Sequence, residues 1–315
     1  MHRISRALVA MVAAAVSIVV TSPALAAGGS DAHGAAAKAP AGIPIRTAAH
    51  GPTMSLQATL TGTQEVPVQG GPAAGDPDGL AQALVQVKGD RVTFALKWRG
   101  IAPPTLGHIH QGKAGTNGDV RVSLFTTAMP DTVDAAAGQV SVRDAALAEQ
   151  LRTRPGDFYL NVHSEEFPAG AIRGQLKPIK HRGNPLAIIQ GGSRHALMDG
   201  NQEVPSPGTA VADPDGRAIT FVRPRGTTVD YSLAWVNTGP PVLGHLHEGI
   251  FGRNGEVKVP LFAGPVPEGI FAISGTARNV KPAVTQRLLS HPSRFYANLH
   301  TAQFPDGAVR GQLFE

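Results

Sequence analysis

Between residues 80 and 98 apolar and polar side chains alternate in two runs, 80–87 and 91–98, separated by Lys88-Gly89-Asp90. Successive side chains on a strand point to opposite faces, so this pattern predicts a β-hairpin with one buried face. The runs 218–222 and 229–236 around Arg225-Gly226 read the same way, and 120–125 and 257–261 alternate as further strands. Residues 158–162 and 171–176 supply two more. Only 145–151 (AALAEQL) carries a convincing helical pattern, with Asp144 as N-cap and Pro155 beyond its end. Roughly seven short strands per unit, with frequent turn signals, predict an all-β chain of antiparallel, Greek-key-like sandwiches, each with one short helix.

The pattern is duplicated. Asp76-Pro77-Asp78-Gly79, Trp98, Gly107-His108-Ile109-His110 and Arg173-Gly174-Gln175-Leu176 all return 137 residues later, and 42 of the 101 positions from 76 to 176 are identical in that register. Gln64-Glu65-Val66-Pro67 returns as Gln202-Glu203-Val204-Pro205 at an offset of 138. Two copies with so long a period are tandem domains and not a solenoid. The division expected is domain 1 over residues 54–178, a linker over 179–194 and domain 2 over 195–315.

Composition supports this picture. With 37 Gly and 26 Pro but no collagen period, and only 16% charged residues, a coiled coil and a collagen-like chain are both excluded. Residues 1–26 combine His2, Arg3 and Arg6 with an apolar run over 7–20 and an Ala24-Leu25-Ala26 ending, the pattern of a secretory signal too short to span a membrane. Residues 27–53, rich in Ala, Gly and Pro, read as a flexible leader. Loss of Arg3 and Arg6 with the signal lowers the net charge from +5 to +3. That is too weak for nucleic-acid binding, and no later segment suits a transmembrane helix. The expected location is secreted or periplasmic, with matrix or cell-envelope components as conceivable partners.

There is no cysteine, so an exported chain of this kind has neither disulfides nor thiolate ligands, and histidine becomes the residue to follow. Of 12 histidines, six fall in equivalent positions: His108, His110 and His163, then His245, His247 and His300. Residues i and i+2 of a strand share a face, so each His-x-His presents two imidazoles side by side. A neighbouring strand can bring the third opposite them. Three imidazoles suit copper or zinc, and the same trio equally permits histidines held only by hydrogen bonds.

Other motifs are read as structure. Residues 112–118 (GKAGTNG) precede a strand and lack the Gly-Lys-Ser/Thr ending, so they are a turn and not a phosphate loop. The Asp-Pro-Asp-Gly segments are read as turns, with Gly79 and Gly216 at positive φ, in preference to Ca²⁺ sites. Trp98 and Trp235 are core anchors. Arg173 and Arg310 either pair with a carboxylate such as Glu65 or Glu203, or guide an anion to a metal.

The combination of Gln-Glu-Val-Pro, Gly-His-Ile/Leu-His-x-Gly, Asn-Val/Leu-His and Phe-Pro-x-Gly-Ala-Ile/Val-Arg-Gly-Gln-Leu in each copy resembles the CHRD (chordin-type) domain. A more distant similarity is to copper/zinc superoxide dismutase, in the segment 99–110 and in Val162-His163 followed by Arg173. That similarity implies copper at His108, His110 and His163, with Arg173 beside it, and likewise His245, His247, His300 and Arg310. The bridging histidine, the zinc loop and the disulfide of that family have no counterpart here. Three functions are therefore carried forward: a secreted copper-binding protein, a copper-only dismutase-like enzyme, and a metal-free structural or adhesive module.

Overall fold

The computed structural model describes residues 51–189 and 191–315; the signal segment, and the leader up to residue 50, lie outside the described residues. In the first copy eight strands follow one another: β1 (Thr53–Thr61), β2 (Leu80–Lys88), β3 (Arg91–Arg99), β4 (Leu106–Gln111), β5 (Val120–Phe125), β6 (Val133–Ser141), β7 (Phe158–His163) and β8 (Ile172–Gln175). All pairs are antiparallel. One layer has the order β1-β2-β3-β6 and the other β5-β4-β7-β8, and β8 touches β1 where Arg173 faces Thr61. The chain crosses between layers after β3 and returns after β5, which is the Greek-key connection expected from the sequence.

Period-two alternation fills the core. Ala81, Ala83, Val85 and Val87 face Trp98, Leu96, Phe94 and Val92 across the hairpin, all buried, with the smallest residues opposite the largest rings and branches. Trp235 is likewise buried in the second copy. The expected glycine conformation in the Asp-Pro-Asp-Gly turns is corrected by the structure. Gly79 and Gly216 are not among the positive-φ residues. Asp76 and Asp213 instead accept backbone N–H bonds two residues on. A Cβ on Gly79 would lie 2.5 Å from the side chain of Ile172, so it is close packing that excludes a side chain there.

Helix α1 (Ala145–Thr153) forms as predicted: the Asp144 carboxylate accepts from the amides of Ala146 and Leu147, and Leu147, Ala148 and Leu151 turn inward. Its counterpart α2 (Pro282–Ser290) has Lys281 at the cap position and no side-chain cap, relying on Pro282 and on buried Val284, Thr285 and Leu288. Asp144→Ala is expected to cost about 1 kcal/mol by urea denaturation.

After β9 (Lys177–Pro178), the second copy repeats the order as β10 (Arg194–Asp199), β11 (Arg217–Arg225), β12 (Thr228–Val236), β13 (Pro241–Glu248), β14 (Glu256–Ala263), β15 (Ile270–Ala277), β16 (Phe295–Thr301) and β17 (Val309–Gln312). Strand β11 runs three residues past the alternation seen in the sequence, through Pro224. It does so because β10 covers it only as far as Val222, so beyond that point it pairs on one side alone.

The two copies are joined by a strand pair that the sequence did not suggest. β6 and β15 occupy equivalent places in the repeat and pair antiparallel, with Ala136 opposite Ile273, Ala137 opposite Ala272 and Ala135 opposite Ser274. Ala136 and Ile273 are themselves equivalent, so a local two-fold axis passes through them. The segment 185–189 lies across this seam. Ile188 is buried among Ala95, Ala135 and Ala137 of the first copy and Ile219 and Phe221 of the second, and the hydroxyl of Ser274 donates to its carbonyl at 2.7 Å. Among the described residues no helix is long and apolar enough to cross a membrane.

Candidate metal centre

Ile109, Leu160, Val162 and Ile172 point into the sandwich, so their neighbours in sequence must point outward. On that outer face the cross-strand partners form rows. His108 faces Asn161, which faces Arg173; His110 faces Tyr159; Leu106 faces His163. His163 thereby lies diagonally beside His108, on the strand neighbouring the His-x-His pair. The pairing of β4 with β5 slips on either side of His108-Ile109, and such bulges re-aim side chains. The His108 and His110 rings stand 5.7 Å apart at 74°, and those of His108 and His163 5.2 Å apart at 71°. In the second copy the corresponding values are 5.7 Å at 70° and 5.1 Å at 64°.

Hydrogen bonds choose which nitrogen each ring offers. His110 Nδ1 donates to the Gly118 carbonyl at 2.9 Å and His163 Nδ1 to that of Pro168 at 3.0 Å. His247 and His300 do the same with Gly255 and Pro305, both at 2.9 Å. With the proton held on Nδ1, the Nε2 lone pair is free. His110 Nε2, His245 Nδ1, His247 Nε2 and His300 Nε2 are buried without a hydrogen-bond partner. In each trio the nitrogens lie within 4.8 Å of one another. Burial, and then the neighbouring imidazoles, push His108 and His245 down to about 4, and burial lowers the other four rings as well. Near neutral pH these are uncharged rings with lone pairs turned on a common point, a donor set that fits a borderline divalent metal.

Each arginine attracts the expected carboxylate, Glu65 or Glu203, through space, while its hydrogen bonds go to a turn. Arg173 is 2% exposed, and its Nη1 donates to Asn117 Oδ1 while Nη2 donates to the carbonyls of Lys113 and Thr116. Its guanidinium carbon sits 3.4 Å from the centre of the Tyr159 ring, and Tyr159 stacks on His110 at 4.9 Å and 11°. Arg310, Asn254, Tyr296 and His247 repeat the arrangement. The turn 112–118 is thus held down by a buried cation.

Glu65 hydrogen-bonds with Asn161, whose Nδ2 donates to it at 3.2 Å; Glu203 and Asn298 do the same at 3.3 Å. Burial raises both carboxyls to about 7 against the pull of the nearby arginines. Asn117 Nδ2 also donates to the Val66 carbonyl, tying this segment to the turn. Tyr159 and Tyr296 escaped the sequence reading, although two of the chain's three tyrosines stand at the repeat offset.

These contacts account for the repeated motifs one by one: Gln-Glu-Val-Pro places the buried carboxyl, Gly-His-x-His the ligand pair, and Phe-Pro-x-Gly-Ala-Ile/Val-Arg the Pro carbonyl and the clamp. The family model described as CHRD domain matches residues 56–176 and 194–313. The chain belongs to the CHRD domain family. No curated protein matches it. Each CHRD domain therefore carries one three-histidine group that can hold a metal ion, on the outer face of its β5-β4-β7-β8 or β14-β13-β16-β17 layer.

Proposed function

We propose that this is an exported tandem CHRD-domain protein in which each domain binds one transition-metal ion, copper in preference to zinc, through His108, His110 and His163 and through His245, His247 and His300. The observation that carries this reading is that His110, His163, His247 and His300 have Nδ1 pinned by backbone carbonyls, which turns each Nε2 lone pair toward the other ligand nitrogens of its trio, all within 4.8 Å. Without thiolate or carboxylate in the set, the order of divalent affinities places Cu(II) above Zn(II). Export rests on the signal-like segment 1–26.

A metal-free reading has one observation in its favour. His108 Nδ1 and His163 Nε2 lie 3.3 Å apart, a distance at which a proton on His108 would make an imidazole–imidazole hydrogen bond. The second domain argues against it, since His245 Nδ1 and His300 Nε2 are both without a partner. Titration of Cu(II) into the mature protein, followed calorimetrically, is expected to reach two equivalents, falling to one in His108→Ala or His245→Ala and to none in the double variant. A stoichiometry that the double variant leaves unchanged would exclude the sites.

A further inference from the structure

Resting on the metal-binding reading above, we infer that Arg173 and Arg310 are positioning residues for one ligand of each site, His110 and His247. The chain of contacts is continuous. The guanidinium of Arg173 gathers two carbonyls and one side chain of the turn 112–118. The last residue of that turn, Gly118, donates its N–H to the Tyr159 hydroxyl at 3.2 Å and accepts the Nδ1 proton of His110 through its carbonyl. The same Tyr159 ring lies against both the guanidinium and the His110 imidazole. The arginine therefore fixes the turn, the turn fixes the tautomer, and the tyrosine fixes the plane of the ring. In the second domain Gly255 bonds Tyr296 at 3.1 Å and His247 at 2.9 Å, under Arg310.

A cation is required because three acceptors converge on one buried spot, and a forked guanidinium meets them with fixed geometry where a lysine ammonium cannot. Groups that orient metal ligands in this way typically change metal affinity by 10–100-fold when removed. Each arginine clamps only its own domain, so with Arg173 changed the second domain is an internal standard within the same molecule.

The test uses the full mature chain carrying Arg173→Lys, with Asn117→Ala as a milder variant that removes one acceptor of the clamp. Two readouts are taken: Cu(II) affinity and electron paramagnetic resonance of each site, and the ¹⁵N shifts of the His110 ring without metal. The expected result is affinity roughly 10–100-fold weaker with an altered spectrum at the first site, an unchanged second site, and loss of the single Nδ1–H tautomer of His110. Wild-type affinity, spectrum and tautomer in both variants would overturn the inference. Failure of the wild type itself to bind copper would instead overturn the metal-binding reading, while the metal-free ¹⁵N shifts would still decide whether the clamp sets the tautomer.

Discussion

In the metal-free protein, Glu65→Gln combined with Glu203→Gln is expected to leave stability near pH 4 unchanged and to raise it by about 6 kcal/mol at pH 8. Each carboxyl is held protonated up to about 7 in the fold, whereas in the unfolded chain it ionises near 4.5. As pH rises through that window the unfolded state releases a proton that the folded state keeps, so stability is lost, by about 3 kcal/mol per group. Glutamine can still accept from Asn161 or Asn298 and needs no proton. The histidines act with the opposite sign. His108 and His245, near 4 in the fold and 6.5 when unfolded, cost stability below about 6.5 because unfolding lets them charge. The two effects oppose each other over the same range, so the wild type should vary little in stability between pH 4 and 8, whereas the double variant, keeping only the histidines, should gain stability as pH rises from 4 to about 6.5. Denaturant titrations at pH 4, 6 and 8 check this; parallel profiles for the two proteins would refute it.

Ile188→Asp should lower stability by about 3 kcal/mol and split a single unfolding transition into two. Ile188 is buried in an apolar cluster drawn from both domains, and a carboxylate there would have no charged partner to offset its burial. Because the same side chain covers the β6–β15 pair, its loss uncouples the domains as well as weakening them. Calorimetry that keeps one transition would show that the strand pair alone couples the domains.

Much of this was legible in the sequence because strands declare themselves locally. The hairpins, Asp144 and the six histidines follow from spacing and from the repeat, since a side chain's face is set by its position along one strand. Which strands become neighbours is not a local property. The diagonal of His163 beside His108 needs the β4–β7 register, and Tyr159 under Arg173 needs the β7–β8 register as well. Arg173 shows the limit most clearly: its residue type suggested an anion, while its partners are carbonyls contributed from some 60 residues away. Lys281 shows another, because α2 has no side-chain cap and rests on Pro282 at its first turn and on the burial of Val284 and Leu288.

The two-fold seam between β6 and β15 carries a consequence for assembly. An edge strand that pairs with its own equivalent is the contact by which two separate copies of a domain would dimerise, and such a dimer comes apart on dilution below its dissociation constant. Here both partners lie on one chain, joined by the segment between Pro178 and Arg194, which supplies a local concentration on the order of millimolar. Because the two partners are covalently linked, dilution does not separate them, and each occupies the edge that the other's β6-type strand would otherwise leave open.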